Sequence, residues 1–564
     1  MHLIKHFKEL TIRPKNARGL KELILHLAVQ GKLTANWRKE NPNVEPASEL
    51  LKRINKNKEV LIKTKKVRIE TAKKEFLKDR VSFQIPDTWV SMNITEFYYT
   101  IGSKYNQIKS KDYNETGKYP IVSQGKNKID GYSDDETKLL KITKPVIVFG
   151  DHTRIVKFID FNFIIGADGT KILNPFDGID SYFFYLHSLY FDLSNKGYAR
   201  HYSLLKQEAF CLPPQEEQKA IVEVVEILFK EVEQLELLSV ERITLKEKFV
   251  ASALNQLATN NTKKEWAFLQ EHFHPFFNEA TNIKKLRETV LQLAVQGKLT
   301  SDSRSNNHNI EEVKIDKLEK LRRSYQINAS KIKGQKSFRY QDSVKIDVGG
   351  KSKGVDSLFE IPKSWAWVSL GQIAWSINDG PHFSPNYVDK GVPMISGRNV
   401  SFENGIDFTS AKYVSTHDHL EFTKRGKPEV GDVLLTKGGT TGIPCVVETT
   451  KEFSVWVHVA LIKVIKEFID PYYLKMALAS PFIYRQSQEQ THGIGNKDLG
   501  LTRMIFFAIP LPPIEEQKAI VQKVNALMGL CDSLELQVQQ SQEQSDQLMQ
   551  SCLREVFEGE TKTK

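Results

Sequence analysis

The chain has 564 residues, 40% of them hydrophobic and 26% charged, and 80 Lys and Arg residues against 69 Asp and Glu residues give it a formal net charge of +11. This length exceeds what one hydrophobic core supports and predicts several domains. The basic balance favours a polyanionic partner. Four scattered cysteines without CxxC spacing exclude a zinc-ribbon or disulfide-framework protein (Cys211, Cys445, Cys531, Cys552). The sequence also lacks the apolar core of a signal peptide and any run of roughly 18 apolar residues, so we expect a cytoplasmic protein.

The chain begins with a predicted helical arm, residues 1–80. Within it, RGLKELILHLAVQGKLT ends at Thr34; its apolar residues have helical spacing and its Gly31 suits a helix stop. A near copy, KKLRETVLQLAVQGKLT, ends at Thr300 and predicts a second arm with a linker, residues 259–359. The end of the first arm is rich in Lys and Arg. We favour a solvated helical face for this charge, and a contact with the DNA backbone is the alternative.

Two globular bodies follow the two arms. IPDTWV at Ile85 and IPKSWAWV at Ile361 open them, and we place the bodies at residues 81–211 and 360–510. Each contains short apolar runs broken by turn residues, which predict strands, and one late segment that predicts a helix. The pattern indicates an α+β domain, present twice.

Each body is followed by a predicted long helix. LPPQEEQKAIV begins at Leu212 and LPPIEEQKAIV begins at Leu511; in each, two prolines precede acidic residues in the first helical turn. Apolar residues then recur with the 3.5-residue period of a coiled coil. This seam comprises Ile221, Val225, Leu228, Val232 and Leu235 in the first copy, and Ile520, Val524, Leu527, Cys531 and Leu534 in the second. We predict helices at residues 212–258 and 511–564 that pack on each other as an antiparallel coiled coil, a pairing that we favour over separate partners.

The chain is therefore a pseudo-two-fold tandem repeat of arm, body and long helix. Arms and helices repeat nearly letter for letter, whereas the bodies share an opening and an outline but few residues between. A chain built this way holds two different faces on one shared frame. Because the two termini are the outer counterparts of the central helix and arm, we expect them to lie close together.

A catalytic centre was sought in the sequence and none is indicated. NPFD at Asn174 lacks the second proline of an amino-methyltransferase loop, and GGKSKG has Lys345 where a phosphate-binding loop requires glycine. His272 and His274 lack neighbours with metal-ligand spacing. Asp151 stands beside a histidine, but no nucleophile is identifiable nearby.

Bodies that open with IP-x-x-W, close on LPP-x-EEQ-x-x-I and continue into long helices resemble the DNA specificity subunit of type I restriction-modification systems of bacterial defence. The resemblance covers essentially the whole chain. It implies two target recognition domains, each reading one half of a split, asymmetric DNA sequence, spaced by an antiparallel helix pair. It also implies that the chain is not itself an enzyme. Methylation would belong to two modification subunits that bind S-adenosylmethionine, and cleavage to restriction subunits that use ATP and Mg. The LAVQGKLT arms and the aromatic EWAFLQEHFHPFF segment are the docking surfaces we expect for the modification subunits.

Candidate DNA contacts are the polar and basic residues of the Gly-flanked loop tips, because Arg, Lys, Asn and Gln read base edges and glycine lets backbone approach a phosphate. In the first body they are Lys104, Tyr105, Asn106, Gln107, Lys109, Gln124, Lys126, Asn127, His152, Thr153, Arg154, Thr170, Lys171, Tyr198, Arg200, His201 and Tyr202. In the second body they are His382, Ser384, Arg398, Asn399, Lys437, Thr440, Thr441, Asn496 and Lys497.

Two other functions remain open on the sequence alone. One is a coiled-coil scaffold whose two bodies bind proteins, and the other is an enzyme with an unrecognised active site. Steep salt dependence of binding to duplex DNA separates the first from a DNA reader, and methyl transfer by the chain alone would indicate the second.

Overall fold

The computed structural model describes residues 13–64, 70, 81, 83–166, 169–191, 193, 200–259, 262–306, 312–331, 359–493 and 497–557. The chain divides into two compact units: unit 1 is Met1–Ile243 with Gln542–Lys564, and unit 2 is Thr244–Ser541. These limits cut through both long helices, so each unit combines the beginning of one long helix with the end of the other.

Unit 1 contains the first arm and the first body. Its helices are α1 (Asn16–Val29), α2 (Ala35–Glu40), α3 (Ala47–Lys63), α4 (Ser181–Tyr190), α5 (Tyr202–Leu205) and the beginning of the long helix α6 (Gln215–Thr259). Its strands are β1 (Val90–Asn93), β2 (Tyr98–Ile101), β3 (Tyr119–Val122), β4 (Gly131–Ser133), β5 (Val146–Gly150), β6 (Val156–Ile159), β7 (Ile164–Ile165), β8 (Thr170–Pro175) and β9 (Ala209–Leu212). They form a main sheet in the order β2-β8-β5-β6, a small sheet in the order β4-β3-β7, and the pair β1-β9.

Unit 2 contains the second arm and the second body. Its helices are α7 (Thr262–Glu271), α8 (Phe273–Phe276), α9 (Ala280–Val295), α10 (Ser301–Asn306), α11 (Ile315–Ser330), α12 (Leu370–Ile373), α13 (Thr416–Phe422), α14 (Pro471–Ala479), α15 (Pro481–Glu489), α16 (Leu501–Met504) and the beginning of the long helix α17 (Ile514–Phe557). Its strands are β10 (Ala366–Ser369), β11 (Ala374–Asp379), β12 (Tyr387–Val388), β13 (Val392–Ile395), β14 (Val400–Ser401), β15 (Gly405–Ile406), β16 (Lys412–Val414), β17 (Val433–Thr436), β18 (Pro444–Val446), β19 (Ser454–Val455), β20 (Val459–Val464) and β21 (Ala508–Leu511).

The two bodies have the same topology despite their different sequences. The main sheet of unit 2 has the order β11-β20-β17-β18, strand for strand the counterpart of β2-β8-β5-β6. In both small sheets a central strand, β3 or β13, has one antiparallel neighbour and one parallel neighbour. The pairs β1-β9 and β10-β21 join the opening of each body to its end. The predicted fold class, two α+β bodies joined by long helices, is confirmed.

Both faces of each main sheet are buried, which explains the continuous apolar runs of their central strands. In β5, Ile147 and Phe149 belong to the cluster that contains α4. The alternating residues Val146 and Val148 belong to a second cluster with the small sheet. Strand β17 divides its side chains between two clusters in the same way. Each main sheet is therefore sandwiched between a helix and a small sheet.

The helix over each main sheet is fixed to the beginning of a long helix by the glutamine of the EEQ motif. Gln218 accepts a hydrogen bond from the Asp180 backbone N–H at 2.7 Å, and Gln517 accepts one from the Asp470 N–H at 2.8 Å. The two aspartates cap α4 and α14. Gln218 and Gln517 are fully buried, so the motif serves packing within the body as well as helix initiation.

Each arm helix connects the beginning of one long helix with the end of the other. In unit 1, Lys21 Nζ lies 2.8 Å from Glu233 in α6, and Lys15 Nζ lies 2.7 Å from Asp546 in α17. In unit 2 the same two places in the repeat carry other residues: Arg287 Nη2 lies 2.6 Å from Asp532 in α17, and the Thr281 hydroxyl donates to Glu247 in α6 at 2.7 Å. Exposed ion pairs contribute little stability individually. Apolar contacts accompany them, since Leu20 and Met549 share one cluster and Leu286 and Val250 another. The first described helix of the chain thus packs against the last.

The predicted seam is buried, but it faces several elements. Ile221, Val225 and Val232 belong to the unit 1 cluster that also contains α1 and the first body, with Leu228 packed against it. Ile520 and Val524 lie in the core of the second body, with Leu527 packed against it. Cys531, with Leu534 packed beside it, shares a cluster with Val250, Leu254 and Leu257 at the end of α6. Leu235 is half-buried. The first turns of each long helix therefore pack on the arm and the body, and contact between the long helices themselves involves later turns.

None of the described helices is both long enough and apolar enough to cross a bilayer.

Candidate nucleic-acid interface

Three repeated sequence segments meet at one buried carboxylate in unit 1, which we call the first joint. Glu217 of the EEQ motif accepts hydrogen bonds from Trp89 Nε1 at 2.8 Å and from the Thr34 hydroxyl at 2.7 Å. Arg38 pairs with the same carboxylate and donates a second bond to the Gly31 carbonyl at 2.7 Å. The Glu217 side chain has no exposed surface, so these donors replace the water that a buried charge would otherwise need.

The second joint repeats the first with equivalent residues. Glu516 accepts from Trp365 Nε1 at 2.9 Å and from the Thr300 hydroxyl at 2.7 Å. Arg304 pairs with Glu516 and donates to the Gly297 carbonyl at 2.7 Å. The arm, the body opening and the long helix are thus connected at one point in each unit.

The glycine of each LAVQGKLT segment is required by the same joint. Gly31 and Gly297 both have φ +69°, a backbone conformation that other residues rarely adopt. A side-chain carbon at Gly31 would lie 2.8 Å from the Pro86 ring, and one at Gly297 would lie 2.7 Å from the Pro362 ring. The joints therefore explain why the LAVQGKLT, IP-x-x-W and LPP-x-EEQ segments recur together.

The first body ends in a group of loops, the first tip, formed by residues 102–108, 123–130, 150–155 and 200–202. Gln124 holds two of these loops together. Its side chain accepts from the His152 N–H at 3.1 Å, and its carbonyl accepts from the Thr153 hydroxyl at 2.6 Å. Arg154 has φ +63°, and its guanidinium donates to the Leu193 carbonyl at 2.8 Å. The loops that carry the predicted contacts Lys126 and Arg154 are thus neighbours.

Asp151 lies at the base of the first tip and is buried. Its carboxylate accepts from the Tyr202 N–H at 2.7 Å, and its carbonyl accepts from the His201 N–H at 2.8 Å. Tyr202 is buried beneath it and its hydroxyl lies 3.1 Å from that of Tyr98. Desolvation raises the pKa of Tyr202 far above its ordinary value, so the phenol stays neutral. An acidic side chain therefore fixes the loop that closes the first tip.

The second body ends in the second tip, formed by residues 379–384, 396–399, 437–443, 456–458 and 497–499. Lys437 lies at its base and is buried. Its ammonium lies 3.3 Å from the buried Asp379 and 3.0 Å from Asp498, and it donates to the Val457 carbonyl at 3.0 Å. His382 Nε2 lies 3.2 Å from Asp379. A basic side chain therefore fixes the second tip.

Asp151 and Lys437 occupy the same position in the fold. The Asp151 N–H donates to the Gly169 carbonyl, and the Lys437 N–H donates to the His458 carbonyl; Gly169 and His458 each precede the equivalent strands β8 and β20. The carbonyl of each then accepts from the closing loop, from the His201 N–H in the first tip and from the Leu499 N–H in the second. The backbone scaffold of the two tips is shared, whereas the charge that stabilises it is opposite.

The loops of the second tip converge around glycines. The Gly439 N–H donates to the Lys497 carbonyl at 3.2 Å, and Gly439 has φ +76° with open space around its Cα. A side-chain carbon at Gly397 would lie 3.2 Å from the Gly438 carbonyl. The loops that contain Arg398, Thr440 and Lys497 thus meet, and Arg398 lies at this meeting point.

Half of the predicted DNA contacts are exposed, and all of these except Lys109 lie on the two tips. The exposed residues are Lys104, Tyr105, Lys109, Lys126, Asn127, Thr153, Arg154, Arg200, His382, Ser384, Arg398, Thr440 and Lys497. Gln107, Gln124, His152 and Lys171 are half-buried. Tyr198 and Asn496 lie outside the described residues.

Other predicted contacts are not exposed, and their side chains hold the tips together. His201, Tyr202, Thr170, Asn399, Lys437 and Thr441 are buried. Asn106 and Asn399 each close a capping box, accepting from Ser103 and Ser396 respectively. The Thr441 hydroxyl lies 3.0 Å from that of Thr491. Such groups have protein partners in place of base edges.

Sequence reasoning missed a buried ion pair that fixes the Lys126 loop. Lys157 Nζ donates to Asp130 at 3.1 Å, and the same carboxylate oxygen accepts from the Ser123 N–H at 2.9 Å. Lys157 lies in β6, whose sequence mixes polar and apolar residues. Only the pairing of β6 with β5 shows that its side chain points inward. The aromatic tip residues Phe383 and Trp456 were also left out, because only polar and basic residues were considered. Among the described residues, no group of three or more His, Cys, Asp or Glu side chains is arranged to hold a metal ion.

The model of the family described as "Type I restriction modification DNA specificity domain" matches residues 86–242 and again residues 362–543, more than half of the chain. The chain belongs to this family. Each match begins at a body opening and ends within a long helix, so it contains one tip together with the tryptophan and the glutamate of one joint. The chain is accordingly a specificity subunit that recognises DNA targets through two target recognition domains. Subunits of this family bind no cofactor, and S-adenosylmethionine and ATP are used by the modification and restriction subunits.

Two relatives from Escherichia coli align with this specificity subunit over most of their length. The type I restriction enzyme EcoEI specificity subunit is 25% identical, covering 93% of this chain and 91% of its own. The EcoAI specificity subunit is 24% identical, covering 92% and 90%. A solved structure of the HsdS subunit from Thermoanaerobacter tengcongensis is 14% identical, with a TM-score of 0.40, and covers 85% of this chain and 98% of that chain.

Proposed function

We propose that this specificity subunit reads a bipartite, asymmetric DNA target, one half-site per tip, and directs modification subunits to it in the cytoplasm. The observation that carries the proposal is the contrast within the repeat. Two bodies of equal topology sit on equivalent joints, yet their tips carry different side chains. A two-fold protein matches a palindromic site, and divergence of only the tips frees each half-site to differ.

The exposed side chains of the tips are the base-contacting groups. Arg398 and Lys497 in the second tip, and Arg154, Arg200 and Lys126 in the first, have the donors that recognise guanine in the major groove. Gly439 leaves space for a phosphate to approach the backbone of the second tip. The buried Asp151 and Lys437 hold these groups in place without contacting DNA.

The modification subunits, two per complex, dock on the frame, and restriction subunits join where the system has them. Support comes from an exposed aromatic cluster in unit 2, formed by Phe249, Phe268 and Phe276. Phe249 lies 5.9 Å from Phe268 and 5.0 Å from Phe276 between ring centroids, and both Phe249 and Phe268 are exposed. Exposed apolar clusters of this kind mark protein interfaces.

A salt titration of DNA binding tests the proposal. We expect the subunit with its modification subunits to bind random duplex with an affinity that falls steeply with salt, because each phosphate contact releases counterions. A duplex that contains the sequence methylated by the complete system should bind more tightly than random duplex at every salt concentration. Equal binding to both duplexes, or a flat salt dependence, would support a protein-binding scaffold.

A further inference from the structure

Each tip carries one strongly exposed aromatic ring just after the first strand of its main sheet. Tyr105 is 65% exposed in the first tip, and Phe383 is 63% exposed in the second. Large aromatic side chains lose favourable burial when they stand in water. Two such residues at similar places in bodies of different sequence point to a shared role.

The strand registers show that the two rings occupy nearly equivalent positions. Ile101 in β2 pairs with Ile172, and Asn378 in β11 pairs with Leu461. Ile172 and Leu461 are equivalent in turn, because they pair with Val148 in β5 and Leu434 in β17. Tyr105 follows Ile101 by four residues, and Phe383 follows Asn378 by five. The rings therefore leave the same edge of the same sheet.

The backbone beneath each ring is fixed although the ring itself is exposed. The Tyr105 carbonyl accepts from Lys138 Nζ at 3.4 Å, and its N–H donates to the Ser103 hydroxyl at 3.2 Å. The Phe383 carbonyl accepts from Trp456 Nε1 at 3.2 Å, and the edge of its ring meets Phe422 with centroids 5.9 Å apart. A loop whose backbone is held in this way loses little conformational entropy when it binds.

Phe383 is also connected to the polar loops of the second tip. Trp456, which holds its carbonyl, packs on His458 with ring centroids 4.5 Å apart. His458 in turn lies against Gly438, where a side-chain carbon would come within 2.5 Å of its ring. On the other side, the neighbouring His382 is tied to Asp379. Phe383 is thus linked through Trp456 and His458 to the loops that carry the residues proposed to read bases.

We propose that Phe383 is a specificity-determining residue that makes an apolar contact with a base in the half-site read by the second tip, as Tyr105 does in the first. A phenyl ring has no hydrogen-bonding group, so it recognises the thymine methyl in a groove or the face of a base at an opened step. The inference rests on the proposed function, since it assigns a base contact within one half-site.

The test compares the complex of wild-type subunit and modification subunits with complexes that contain Phe383→Ala, Phe383→Leu or Tyr105→Ala. Val430→Ala is the matched control, because Val430 is another exposed apolar residue of unit 2. Dissociation constants are measured for the methylated target and for duplexes with one half-site scrambled. Phe383→Ala should reduce discrimination at the second half-site about tenfold and leave the first unchanged. Tyr105→Ala should do the reverse, and Phe383→Leu should retain part of the discrimination.

Two modified duplexes distinguish the contacts. If Phe383 touches a thymine methyl, replacing that thymine by uracil weakens binding of the wild type and leaves Phe383→Ala unaffected. If the ring opens a base step, 2-aminopurine at that step fluoresces with the wild type and stays quenched with Phe383→Ala.

Two results would overturn the inference while leaving the proposed function intact. One is a Phe383→Ala complex that discriminates the second half-site as the wild type does. The other is lost discrimination with neither response to the modified duplexes, which would make Phe383 structural. A wild-type complex that fails to discriminate either half-site would contradict the proposed function as well.

Discussion

The joints and the tips both occur twice, but only the joints repeat the same side chains. At the joints, Glu217 and Glu516 have the same donors, a tryptophan, a threonine and an arginine, in the same geometry. At the tips only the backbone arrangement is repeated. Asp151 in the first tip occupies the position in the fold that Lys437 occupies in the second. Removing any one donor from a buried carboxylate leaves its charge less well compensated, so substitutions of these partners are costly. A loop held by backbone hydrogen bonds accepts many side chains.

This difference between joints and tips explains how one repeated framework can carry two different DNA-binding surfaces. The joint determines how arm, body and long helix meet within a unit, so its residues must be identical for the two halves to be equivalent. The tip must differ for the half-sites to differ. Equal geometry and unequal chemistry are therefore carried by separate residues of each unit.

The largest effect is expected at the joints. Glu217→Ala leaves Arg38 without its buried partner and should lower the free energy of unfolding by about 3 to 5 kcal/mol. Glu516→Ala should have the same effect in unit 2. Urea titrations of the two variants measure both values.

The neighbouring glutamates provide controls for this comparison. Glu216 and Glu515 are exposed, and their replacement by alanine should change stability by less than about 0.5 kcal/mol. Unequal losses of unfolding free energy for Glu217→Ala and Glu516→Ala would show that the two joints are not equivalent.

The tips should respond one at a time. Arg398→Ala should cost about 1 to 3 kcal/mol of binding and relax one base position in the second half-site, if the guanidinium reads a base. Arg200→Ala should do the same in the first half-site. Competition binding with duplexes substituted at single positions measures both effects.

Lys427→Ala is the control for Arg398→Ala, because Lys427 is an exposed cation of the second body paired with Glu452. Weakening of Arg398→Ala by the same factor on every duplex would identify a phosphate contact instead of a base contact.

The smallest effect on stability is expected from a buried histidine that is present in the first body and absent from the second. In the first body, His187 is buried in α4 and accepts a hydrogen bond from the Cys211 N–H at 3.0 Å; counted from the capping aspartates, its place in α14 is taken by Ala477. Burial lowers the pKa of His187 to about 3. Between this value and the ordinary 6.5, the unfolded chain binds the proton that the folded chain refuses, so stability is complete above pH 6.5 and falls as the pH falls.

This histidine alone should lower the free energy of unfolding by roughly 1 kcal/mol at pH 5.5, one unit below the ordinary pKa. His187→Gln retains an acceptor for the Cys211 N–H and should remove that share of the acid sensitivity. Urea titrations at pH 8 and 5.5 compare the two proteins. An equal loss in both would show that other groups cause the acid sensitivity.

Much of the architecture was predictable from internal repetition. The α+β bodies and the long helices follow from periodicity and from segments that recur, such as LAVQGKLT ahead of Thr34 and Thr300. The meeting of Thr34, Trp89 and Glu217 was not predictable, because repetition shows that residues are retained together and gives no distance between them. The sequence also did not predict which tip side chains point inward and which point into solvent. Asn106 and Lys437 have the same Gly-rich polar surroundings as Lys104 and Thr440, and only the folded loops show which point inward.

If one body on a common frame determines each half of the target, exchanging one body should change one half alone. The direct measurement is genome-wide mapping of methylated bases in cells that carry the complete system, before and after residues 81–211 are exchanged for the corresponding body of a relative. We predict that one half of the methylated sequence changes while the other half is retained. A change in both halves, or in neither, would contradict the account.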